Sequence, residues 1–174
     1  MMTREPVQGL RWNTMDVFMC EVEMAVCLEA VTRACYLAMV ESIRNGRVVR
    51  ECQLFSKEAM LGQQKMKRFL IDPDASRKRI ECVCRNYAVD AARLSVAGII
   101  EAALHSARNK LGIYRHLAAI SGWFAEVFGR EVLRTQREIR FLQNEQAFQK
   151  DKDNMLPHVN WWLRLSPTLM ISVR

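Results

Sequence analysis

Apolar residues recur three and four apart from about Thr14 to Lys150, the period of an amphipathic helix. Val17, Cys20, Met24, Cys27, Val31, Ala34 and Ala38 form one such seam and predict a first long helix over 14–44. Asn13 or Thr14 can cap its start, and Asp16, Glu21 and Glu23 suit the positive end of its dipole. Between Met24 and Val40 the pattern is apolar nearly all round, interrupted by Glu29, Thr32 and Arg33. A helix of that kind is central in its domain or buried in an oligomer. Asn45-Gly46 reads as its C-cap, because glycine readily takes the left-handed conformation.

Residues 47–55 admit two readings. Val48-Val49 permits a short strand, while Val48, Cys52 and Phe55 fall on one helical face and favour a helix that ends near Ile71. Asp72-Pro73 is a helix-start signal, with Asp as cap and Pro at the first helical position. The third helix is predicted over 73–110 along Ile80, Val83/Cys84, Tyr87, Ala91, Leu94 and Gly98, with Gly112 just past its end. A short helix over Ile113–Ile120 and a long one over 123–150 follow, the latter along Phe128, Val132, Thr135, Ile139, Leu142 and Gln146. The expectation is an all-α protein, a compact bundle of about four to six helices. It divides into an arm at 1–12, a helical domain at 13–150 and a tail at 151–174 that packs on the core or on a partner.

Composition supports this picture. Half of the residues are hydrophobic, enough for a core without disulfides, and seven glycines and four prolines are too few for a turn-rich β fold. The opening MMTREPVQGL has no apolar stretch before a small-residue cleavage site, and no apolar run reaches the length of a membrane span. An intracellular setting, cytoplasm or nucleus, is expected, with the six cysteines reduced.

The chemistry of catalysis finds little support. Cys82 and Cys84 are two apart, so on a helix they point about 200° from each other and cannot readily clamp one metal. Cys20, Cys27 and Cys35 share a face, which reads as core. Glu101 and His105 are four apart where a di-metal bundle uses Glu-x-x-His, and no nucleophile elbow or phosphate loop occurs. No enzyme, cofactor or metal is expected.

Charge changes the picture most. The chain carries +7 overall, and residues 46–111, with thirteen basic and seven acidic residues, hold +6 of it. Lys65, Lys67 and Arg68 end one predicted helix and Arg77, Lys78 and Arg79 begin the next, so the Asp72-Pro73 turn brings them to one corner. Cations near a helix C-terminus are stabilised by the dipole, whereas those near an N-terminus are not. Arg85 extends the patch, and Arg130, Arg134 and Arg137 line one face of the last helix. These ten residues are the candidate nucleic-acid contacts.

The leading expectation is a non-enzymatic, self-associating basic protein that binds nucleic acid, RNA before DNA, through phosphates. Its small size and its Met, Cys and Arg content suit a viral or phage accessory protein. One alternative is an adaptor or inhibitor that engages a protein through the first helix and the tail residues Trp161 and Trp162, with an acidic surface as partner. The other is a peripheral membrane or matrix-like protein.

Overall fold

Helix-starting side chains divide this chain. In the computed structural model, backbone is described for residues 14–87 and 93–165, and side chains for 15–82 and 93–152. Five α-helices account for most of it: α1 (Thr14–Ser42), α2 (Gly46–Lys67), α3 (Pro73–Tyr87), α4 (Val96–Ile120) and α5 (Ala125–Leu165). A 3-10 turn, Gly122–Phe124, joins α4 to α5. There is no strand among the described residues, so 47–55 is helical, with Val48, Cys52 and Phe55 buried on one face. No helix among them is long and apolar enough to cross a membrane.

Several boundaries differ from expectation. Asn45 opens α2 instead of closing α1: its backbone is extended (φ −73°, ψ 110°) and its side chain accepts from the amides of Arg47 and Val48. The left-handed glycine is Gly122 (φ 50°), the one positive φ among the described residues. The helix expected over 73–110 is two helices. Ser95, extended at ψ 160°, accepts from the Gly98 amide at 3.2 Å and starts α4 afresh, so Gly98 belongs to a first turn and marks no bend. Gly112 and residues 113–120 continue α4, and α5 continues helical past Lys150 to Leu165. Asp72 behaves as predicted, accepting from the Asp74 and Ala75 amides ahead of α3. The arm at 1–12 and the end of the tail, 166–174, lie outside the described residues.

α1 is the central helix and packs on α2, α3 and α4, while α5 packs chiefly on α4. One apolar cluster joins Tyr36 and Met39 of α1 to Phe55 of α2, Ile99 and Ile100 of α4 and Leu142 of α5. The other joins Val22 and Val26 to Met66, Tyr114, Leu117 and Phe128. These pairings make α2 and α4 antiparallel to α1, and α5 parallel to it. α3 returns along the outside of α1, tied to it by Glu23, which accepts from Ser76 Oγ and Arg79 Nη2 at 2.6 Å each.

Candidate functional site

The two apolar clusters are separated by a layer of charge. Glu29, Lys110 and Glu138 are essentially inaccessible to water. Lys110 Nζ donates to Glu29 Oε2 at 3.1 Å and to Glu138 Oε2 at 2.9 Å. Glu29 Oε1 also accepts from Tyr114 and from Arg134 Nη2. Arg134 Nε donates to Glu131 Oε2 at 2.7 Å, and Lys65 pairs with Glu131 from the edge. Tyr36 donates to Glu138 Oε1 at 3.2 Å, and Thr32 and Ser106 hydroxyls meet at 3.0 Å beside the Leu28 carbonyl. Three carboxylates meet three cations, as burial of charge requires.

The surroundings set the protonation. Burial, reinforced by the Glu138 and Glu29 charges respectively, pushes the Tyr36 and Tyr114 hydroxyls well above their ordinary range, so both remain donors. Burial acts to lower the Arg134 pKa, but Glu29 and the other carboxylates around it outweigh that and raise it. Burial acts to raise Glu131, and Arg134 and Lys65 outweigh it, holding this carboxyl below its ordinary range.

This layer decides which candidate cations face water. Arg134 is turned into it, and Lys65 is half-committed to it. Of the remaining α5 stripe, Arg130 pairs with Glu126 on the surface, while Arg137 pairs with Glu58 and lies over the Phe55 ring at 5.5 Å. At the α2–α3 corner Arg79 grips Glu23 and Arg77 pairs with Glu81 along α3. Burial would raise Glu23, and the Arg79 and Ser76 hydrogen bonds lower it beyond that effect. Lys67, Arg68 and Lys78 are exposed, and no ion pair involves them among the described residues. Lys67 and Arg77 flank a cleft of about 530 Å³ between α2 and α3, which also carries Asp74 and Glu81. Arg85 lies on α3, but its side chain and those of Trp161 and Trp162 on α5 lie outside the described residues.

The sequence reading passed over a second set. Arg108 and Arg115 of α4 and Arg140 of α5 are exposed, and none of the three forms an ion pair among the described residues. Arg115 and Arg140 line one cleft of about 390 Å³ with Leu111, Gln136 and Ile139. A signal for them exists in the sequence: none has a carboxylate three or four residues away on its own helix. Trp123, on the turn between these helices, is 98% exposed. The chain matches no protein-family model, no curated protein and no solved structure.

Proposed function

We propose that this is a non-enzymatic helical protein that binds nucleic acid, RNA before DNA, through its backbone phosphates. One observation carries the reading: exposed cations without ion-pair partners gather at the α2–α3 corner in Lys67, Arg68 and Lys78. Of the nine cations singled out in the sequence whose side chains are described, these three are exposed and free of ion pairs among the described residues. The corner is also diluted by Asp72, Asp74 and Glu81, so affinity is moderate and falls as salt rises. Fluorescence anisotropy of labelled RNA, DNA and heparin across a salt series tests it. Lys67→Glu, Arg68→Glu and Lys78→Glu together abolish RNA binding while circular dichroism stays helical. Unchanged RNA affinity in that folded variant rejects the corner.

A second reading, self-association, has its own support. The apolar stretch of α1 is mostly covered within the chain by α2, α3 and α4, so apart from half-exposed Leu37 it gives little motive for an oligomer. Leu54 and Leu61, seven apart on α2, stay about half exposed and supply one. Leu54→Glu with Leu61→Glu converts an oligomer to monomer in light scattering, and a wild-type monomer rejects this reading.

A further inference from the structure

Trp123 is 98% exposed, yet the backbone that carries it is held in place. Gly122 takes φ 50° ahead of it, and the Phe124 amide donates to the Ser121 carbonyl at 3.3 Å. The Phe124 ring then packs edge-on against Phe69, 5.1 Å between centroids, which ties the turn to the apolar cluster around Val22, Met66 and Phe128. A large aromatic side chain is left wholly in water on a braced turn. The two helices leaving that turn form the cleft lined by Arg115 and Arg140; Arg115 lies five residues, roughly 8 Å of helix rise, before the end of α4, and Arg140 fifteen residues, roughly 22 Å, after the start of α5. Neither arginine has a carboxylate partner among the described residues, and Gln136 adds an amide beside them.

We infer that the α4–α5 side of the bundle binds a single strand of nucleic acid, with a base stacked on Trp123 and phosphates held by Arg115 and Arg140. This rests on the nucleic-acid reading above and assigns residues outside the α2–α3 corner. A single strand presents free base faces and a flexible phosphate chain, which match an indole beside an arginine-lined groove. A duplex has its base faces already stacked and leaves Trp123 nothing to cover. A bilayer fits less well. Trp123 lies on the turn at one end of α4 and α5, and the arginine cleft lies between those helices. Exposed Glu126 follows Trp123 closely on α5.

The test is anisotropy at low salt with labelled oligouridylate and a labelled RNA duplex, each variant checked by circular dichroism. Trp123→Ala weakens the single strand about tenfold and leaves the duplex unchanged, and Trp123→Phe restores most of the loss. Arg115→Glu with Arg140→Glu weakens the single strand further. Wild-type affinity of Trp123→Ala for oligouridylate overturns the inference, as does an equal loss for both probes. The broader reading then stands if the α2–α3 reversals still abolish binding. If the wild type binds neither probe but co-sediments with phosphatidylserine vesicles, and Trp123→Ala does not, both readings fall and the surface is a lipid site.

Discussion

Replacing Gly62 by alanine destabilises this protein, although alanine is the better helix former. Gly62 is buried in α2 opposite the charged layer. A Cβ built there stands 2.8 Å from Glu29 Oε1 and 2.9 Å from Arg134 Nη2. Neither contact is tolerable, so the Glu29–Arg134 pair must shift. The propensity gain is about 1 kcal/mol. Losing one partner of a buried ion pair costs about 3–5 kcal/mol, which bounds the cost of displacing this pair while both partners remain. The net loss is therefore at most roughly 2–4 kcal/mol. Gly112 supplies the control: it is exposed in α4, and a Cβ there meets nothing within 4 Å. Gly112→Ala should therefore stabilise by about 1 kcal/mol, or about 2–4 °C in Tm. Urea unfolding followed by circular dichroism reads both. If Gly62→Ala is as stable as the wild type, the close approach of α2 to the Glu29–Arg134 pair is wrong.

Three further outcomes follow from the same structure. Lys110→Met leaves Glu29 and Glu138 facing each other without their shared cation and costs about 3–5 kcal/mol in urea unfolding, part of which returns on adding Glu138→Gln. Glu131 and Glu23 have pKa values below their ordinary 4.5, so the stability they contribute is complete above that value and is lost as pH falls through their lower folded values. Stability measured from pH 7 to pH 2 should fall on the acid side, less steeply in Glu131→Gln. Burial raises the Cys35 thiol to about 11 and the Cys52 thiol to about 12, so with buried Cys27 they should resist a thiol reagent until denaturant is added, while exposed Cys20 and Cys82 react at once.

The helices were legible in the sequence because periodicity and caps act locally. Asp72-Pro73 starts α3, and the Val48–Cys52–Phe55 face is buried as spaced. The inward faces of α1 and α5 were legible only in part. On α5 apolar spacing chose Phe128, Thr135 and Leu142, which are buried, but also Val132 and Ile139, which are only partly covered, in place of the buried Glu131 and Glu138. On α1 it chose Cys20 and Ala34, both exposed, over Glu29 and Thr32, which are buried. A carboxylate is assigned to solvent unless its partners are known, and here those partners lie up to 105 residues away, as Arg134 does from Glu29. The three glutamates at 131, 138 and 145 repeat at seven, and all three are buried, which is the trace of that arrangement in the sequence. The candidate site suffered the converse error. Arg134 looked like a surface cation because α5 alone could not reveal that Glu29 and Glu131 enclose it.

The charged layer links the fold to the surface chemistry. It fixes the bundle in register, because sliding α5 one turn along α1 would separate Arg134 from Glu29 and Glu138 from Lys110, stranding buried charge. It is also neutral, with Glu29, Glu131 and Glu138 against Lys65, Lys110 and Arg134. The surface pairs Arg77–Glu81, Arg79–Glu23, Arg130–Glu126 and Arg137–Glu58 are each neutral as well. Removing equal numbers of cations and carboxylates leaves the net charge of +7 unchanged. The whole excess therefore resides on residues outside these pairs, among them Lys67, Arg68 and Lys78 at the corner and Arg108, Arg115 and Arg140 on the α4–α5 side. Counting basic residues along the chain overstated the α2–α3 corner and missed the α4–α5 cleft, because only three-dimensional pairing tells which cations remain open to an anion.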